Sequence, residues 1–334
     1  MRKTIREKMK HQKSLLIFGT FSLLLLLSVG YAAFSTTIRL NAKGNVHPPV
    51  IYTVDDLIDN AGTSCDGELV EDTSEPGRYI YRGNNPCNYI NVKENGTNVK
   101  YRIYSIESDG TVKVIRDESV TNMEYDVSDE TRRIGGYCSQ SSCNAWAAMN
   151  GFNNAGRIGD VVGLNGNSGD SSIKEYIEGT YANTLDDYSR VVLKTWNIGG
   201  TYFNNDNLLN TIADENMSTW NGKIAMITAS EYIRANSNVS SCGTLKLFRN
   251  NNSMCLSTNY LINSTSWLLT PSGGGDSSGL TLFSNGLVRY DLTYVERGVR
   301  PSFYLCSGLT YKGDGTSTKP YEVAGGSCII QNEP

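Results

Sequence analysis

Histidine, cysteine and the carboxylates decide what chemistry this 334-residue chain could perform. Its two histidines are His11 and His47, so no imidazole lies beyond residue 50. A Ser-His-Asp or Cys-His relay, or a His-Glu-x-x-His zinc site, is therefore excluded from the body of the chain. All eight cysteines do lie there, an even number that suits an oxidising compartment. Cys-x-x-Cys does not occur, which removes the usual metal and redox spacing. The spacing instead predicts disulfides joining Cys65 to Cys87, Cys138 to Cys143, Cys242 to Cys255 and Cys306 to Cys328. Oxidised cysteines leave no thiolate nucleophile. Ser171-Ser172-Ile173-Lys174 spells Ser-x-x-Lys, but neither Ser-Asp-Asn nor Lys-Thr-Gly follows it. A capping serine with an exposed first-turn lysine accounts for it.

Carboxylate pairs remain. A glycosidase needs two of them about 5–9.5 Å apart. Asp186, Asp187, Glu231, Asp276 and Asp291 are available, and no spacing singles out a pair. The oxygen-rich calcium loop Asp-x-Asn/Asp-x-Asn/Asp-Gly is absent, and Asp276 and Asp314 are isolated turn acids. Gly273-Gly274-Gly275 lacks the Lys-Ser/Thr partner of a phosphate loop and suits a mobile connection between strands. No catalytic residue, metal ligand or cofactor is assigned. Trp146, Trp196, Trp220 and Trp267 could stack on sugars, but Trp196 and Trp267 adjoin apolar runs that place them in a core.

The chain opens with the features of an export segment. Residues 1–13 form a basic segment with six Lys or Arg against Glu7. Residues 14–34 are an apolar stretch, read as a transmembrane anchor through 15–34 or a signal peptide cleaved near Gly30-Tyr31-Ala32. Residues 35–50 are a linker ending in Pro48-Pro49, and 51–334 form one extracellular, disulfide-stapled domain. Without the basic segment, 24 basic residues face 33 acidic ones, near −9, which argues against nucleic acid or another polyanion as partner. Strand-like alternation is expected at 79–82, 89–92, 100–105 and 111–115, with a turn at Glu107-Ser108-Asp109-Gly110. Capping boxes at Ser172 and Thr228 open two short helices, the second after an apolar strand at 223–227. Strands return at 267–270, 280–284, 287–291 and 300–305, with an Asn285-Gly286 hairpin. The class is α+β, a twisted antiparallel sheet with one or two short helices.

Trp267-Leu268-Leu269-Thr270, Leu280-Thr281-Leu282-Phe283-Ser284-Asn285-Gly286 and Gly298-Val299-Arg300 follow one another in the last third. That order resembles the end of bacterial C-type-lectin-like modules related to formylglycine-generating enzymes and major paralogous domains. The resemblance implies a C-type-lectin-like fold. It implies no lectin or oxidase activity, because the Glu-Pro-Asn and Trp-Asn-Asp triplets and a free catalytic cysteine pair are missing. The whole chain is also similar to exported proteins of gut Gram-positive bacteria, on Ser-Val-Gly-Tyr-Ala-Ala-Phe-Ser (28–35), Tyr-Arg-Gly-Asn-Asn-Pro (81–86) and a Gly-Asp-Gly-Thr ending.

Export, disulfides, absent histidine and 20 tyrosines against 8 phenylalanines suit a non-catalytic, surface-displayed or secreted domain that binds a glycan or protein. Alternatives are a structural subunit of a surface fibre or biofilm matrix, and a carboxylate-based glycoside hydrolase. The expected recognition face comprises Asp276, Tyr290, Tyr294 and Arg297, large or polar groups near two tight turns. Arg300, in Gly-Val-Arg-Pro, is assigned to a structural strand.

Overall fold

The computed structural model describes Thr20, Leu23, Trp146, Cys255 and residues 50–59, 65–127, 170–201, 207–245, 258–273 and 278–329. The predicted span at 14–34 lies outside these residues except for Thr20 and Leu23, which are helical. Among the described residues no helix is long and apolar enough to cross a membrane. The chain divides into two units, Met1–Pro49 and Val50–Pro334, and the elements below belong to the second.

A short helix, α1 (Val54–Asp59), leads into β1 (Asp66–Glu71), β2 (Tyr79–Asn85), β3 (Tyr89–Glu94), β4 (Thr97–Ile106), β5 (Val112–Arg116) and β6 (Thr121–Met123). After α2 (Ser172–Glu175), which runs on as a π-helical turn over Tyr176–Tyr181, come β7 (Lys194–Asn197), α3 (Leu208–Glu215), β8 (Thr219–Gly222) and β9 (Ile224–Ala225). Helices α4 (Ala229–Arg234) and α5 (Val239–Cys242) precede β10 (Ser266–Pro271), β11 (Ser278–Leu282), β12 (Val288–Leu292) and β13 (Arg297–Val299). The chain closes with β14 (Ser302–Leu305), β15 (Leu309–Lys312) and β16 (Tyr321–Gly326). The class is α+β, as expected.

The expected antiparallel sheet becomes three sheets, two of them mixed. The largest runs β15-β16-β3-β4-β5-β14-β9, with β2 and then β1 attached beside β4. Its C-terminal strand β16 lies parallel to β3, with Tyr321 opposite Ile90. A second sheet runs β12-β11-β10-β13-β6, and β10 and β13 are parallel. Strands β7 and β8 form the third. Long-range parallel pairs need a crossover that leaves no local turn signature, so alternation alone cannot show them.

Turn chemistry sets the register. Asn95 (φ 49°) and Gly96 (φ 77°) form the two-residue turn between β3 and β4, whose twist demands positive φ at both positions. After β11 only Gly286 (φ 75°) takes a positive φ, in a longer turn closed by the Phe283 amide donating to the Leu287 carbonyl at 2.8 Å. The capping box at Thr228 is present, with reciprocal bonds between Thr228 and Glu231. At the first helix the cap is Ser171, not Ser172: its hydroxyl accepts the Lys174 amide while Ser172 turns to Asp126 and Val127. Lys174 is buried, contrary to the expected exposed lysine, because Asp170 (2.5 Å) and Glu178 (2.6 Å) both pair with it.

The core forms on both faces of the central strands. Val112, Lys113, Val114 and Ile115 of β5 are all buried, as is the second half of β4. All four tryptophans are buried, Trp267 edge-on to Tyr125 and Trp146 edge-on to Trp220. Three of the four expected disulfides are present, with Cα separations of 5.4, 5.9 and 5.3 Å for Cys65–Cys87, Cys242–Cys255 and Cys306–Cys328. Cys138 and Cys143 lie outside the described residues.

Candidate functional site

Phe303 and Leu305 face one side of the central sheet and Tyr304 the other, because successive strand residues alternate. A cavity opens on each side. The larger, about 410 Å³, lies between the sheet and an arch formed by residues 185–191. Both ends of that arch are pinned by β-bridges, Leu185 to Glu94 and Val191 to Leu305. Between the pins a 3-10 turn, Tyr188–Arg190, lifts the chain clear of the sheet. Asp186 fastens the arch further by accepting the Gly96 amide at 3.0 Å.

The walls of this cavity differ in chemistry. Leu185, Val191, Phe303 and Leu305 are buried and make an apolar floor. Asn91, Asn98, Lys312 and Glu322 form one polar wall, Asp187 and Arg190 the other. Glu322 is the hub: its Oε1 accepts Asn91 at 3.0 Å and Asn98 at 3.3 Å, and Lys312 pairs with Oε2 at 3.1 Å. The Asn91 and Lys312 hydrogen bonds hold its carboxyl below the usual glutamate range, so the hub stays ionised through mildly acidic pH. Such polar groups, fixed by one another over an apolar floor, are what a small-ligand site needs.

The second cavity, about 220 Å³, is charged. Lys113 of β5 is sealed in it, its ammonium on the Glu231 carboxylate and 4.4 Å from the Trp196 ring and 5.0 Å from that of Tyr304. Arg78, Glu75, Glu107 and Arg234 are among the other residues that line it, and Asp72 links Arg234 (3.0 Å) to Arg78 (3.4 Å). Burial drives Glu107 above its ordinary value of 4.5, and Arg78 and the Ser105 hydroxyl only partly oppose this. The folded state therefore keeps a proton on Glu107 that the unfolded chain has lost, and this contribution makes stability fall as pH rises above about 4.5. Glu107→Gln, neutral at every pH, is expected to flatten that fall, as read from urea midpoints between pH 4 and 7. An unchanged slope would show Glu107 to be ionised in the fold.

The sequence-predicted face is only partly brought together. Tyr290 on β12 and Tyr294 in the following turn are each 51% exposed. Arg297, at the start of β13, is held by Asp291 at 2.7 Å and lies over the Phe283 ring. Asp276 lies outside the described residues. The other candidate carboxylates are engaged structurally: Asp186 on Gly96, Asp187 on Arg190 (3.2 Å), Asp291 on Arg297, and Glu231 on Lys113 and the Thr228 amide. The arched cavity has little signature in the local sequence. Asn95-Gly96, taken as a two-residue turn, would have set Lys93 opposite Asn98 and Asn91 opposite Lys100, which brings part of one wall together. Comparison with protein-family models, curated proteins and solved structures gives no match.

Proposed function

We propose that this chain is a non-catalytic binding protein that displays its disulfide-stapled unit outside the cell, anchored through residues 15–34 or secreted. Its architecture is a variant of the C-type-lectin-like plan, and its ligand is a hydroxyl-rich glycan seated under the 185–191 arch. One observation carries this reading: an apolar floor is bordered by Asn91, Asn98 and Glu322, whose amide and carboxylate groups are already oriented toward one another. Amides and a carboxylate offer a sugar both donors and acceptors, while the floor takes the less polar ring face. The three disulfides suit an oxidising exterior.

A glycan-array screen of the full chain in detergent, followed by calorimetry on the best ligand, tests the site. Glu322→Ala and Asn91→Ala are each expected to weaken binding about tenfold or more, the value of a hydrogen bond to a charged or buried partner. Alanine at Tyr290, Tyr294 and Arg297 together is expected to leave affinity within twofold and thermal stability nearly unchanged. The opposite pattern would move the site to the β12 edge.

A further inference from the structure

Five charged side chains line the cavity under the 185–191 arch: Lys93, Asp187, Arg190, Lys312 and Glu322. Four of them form two pairs, Asp187 with Arg190 at 3.2 Å and Glu322 with Lys312 at 3.1 Å. Lys93 stands apart from both. It is exposed on β3, and among the described residues its ammonium meets no carboxylate within ion-pair distance and donates no hydrogen bond.

Backbone contacts fix where Lys93 sits. Its carbonyl accepts the Asp186 amide at 3.1 Å, and the next residue, Glu94, is bridged to Leu185. Lys93 therefore marks the foot of the arch, where β3 meets the cavity. The carboxylates around it are engaged elsewhere. Asp186 accepts the Gly96 amide on both oxygens, at 3.1 and 3.0 Å. Glu322 accepts Asn91 and Asn98 on one oxygen and pairs with Lys312 through the other. With three cations against two carboxylates, the cavity lining carries one positive charge in excess.

An exposed ammonium is well solvated and does not burden the fold, so this excess acts on what the cavity accepts. An anionic group beside Lys93 gains a charge-assisted hydrogen bond that a hydroxyl in the same place does not. The rest of the molecule limits the size of that charge. Beyond residue 13, 24 basic residues face 33 acidic ones, so a phosphate with nearly two charges is repelled more than a carboxylate with one.

We propose that the sugar seated under the arch is acidic, a hexuronic or sialic acid whose single carboxylate is bound by Lys93. This rests on the glycan reading above and sharpens it. Asn91, Asn98 and Glu322 serve the ring hydroxyls, and Lys93 separates acidic sugars from neutral ones.

Calorimetry on the full chain in detergent with three matched pairs provides the test: methyl glucuronide against methyl glucoside, methyl galacturonide against methyl galactoside, and sialyllactose against lactose. At least one acid is expected to bind about tenfold more tightly than its neutral counterpart, the value of a hydrogen bond to a charged group. The margin is expected to shrink as sodium chloride rises from about 0.05 M to about 0.5 M. Lys93→Gln is expected to abolish the margin and leave the neutral sugar within twofold. Lys319→Gln removes the same charge from a side chain 70% exposed outside the cavity, and is expected to preserve the margin. Glu322→Ala is expected to weaken both members of a pair, because it removes part of the seat itself. Equal affinities within every pair, still sensitive to Glu322→Ala, would overturn the acidic ligand and leave the glycan site standing. A margin that survives Lys93→Gln would overturn it as well. Binding that ignores Glu322→Ala, or no binding, would remove the glycan site altogether, acidic or neutral.

Discussion

Glu231→Ala is expected to cost about 3–5 kcal/mol of stability, the loss typical of breaking a buried ion pair. Lys113 lies on a strand buried on both faces, its ammonium among the Trp196, Tyr304 and Tyr104 rings, so removing Glu231 strands a charge away from water. Burial already pulls Lys113 below the usual lysine range, against the opposing pull of Glu231. The same substitution removes the return bond of the α4 capping box, Thr228 N to Glu231 Oε2 at 3.0 Å. Lys113→Met combined with Glu231→Leu is expected to recover most of the loss, since the space then holds apolar groups of similar size. Urea denaturation of the two variants beside the unaltered chain measures this directly. A single-variant loss below about 1 kcal/mol would mean that water reaches Lys113 and that the pair is solvated.

Cys306→Ser with Cys328→Ser is expected to cost about 3 kcal/mol, from a closed loop of 22 residues whose unfolded chain regains its freedom. The effect on binding should exceed that of any other disulfide. The loop contains the β15–β16 hairpin, which presents Lys312 and Glu322 to the arched cavity. Cys242→Ser with Cys255→Ser should lower stability comparably while leaving ligand affinity unchanged, because neither residue borders that cavity. Equal losses of affinity in both double variants would disconnect the hairpin from recognition.

Local features were legible in the sequence and long-range ones were not. The Thr228 capping box, the Asn285-Gly286 turn and three neighbour disulfides each depend on residues close together in the chain. Adjacent apolar residues place Trp196 and Trp267 in the core, and both are buried there. Short strands such as β8, which exposes alternate polar residues, and the three-residue β6 carry too little pattern to announce themselves. The arched cavity was the least visible feature. Its polar wall joins Asn91 to Glu322 across 231 positions, and nothing in either local sequence refers to the other. Lys113 was equally hidden, because a lysine within Val112-Lys113-Val114-Ile115 resembles the polar member of an ordinary alternating strand.

The parallel docking of β16 against β3 has a consequence for how the molecule comes into being. Contacts of such sequence separation are slow to form, since a long loop must close before they contribute anything. Strands β3, β4 and β5 can pair as soon as they emerge, and β14 joins them only once residues 302–305 have followed. The outer edge of β3, apart from its end bridged by Leu185, then stays unpaired until residue 321 is available. An open strand edge of this kind is a template for wrong partners. Chains shortened before β16 are therefore expected to aggregate rather than to persist as a slightly smaller version of the same fold.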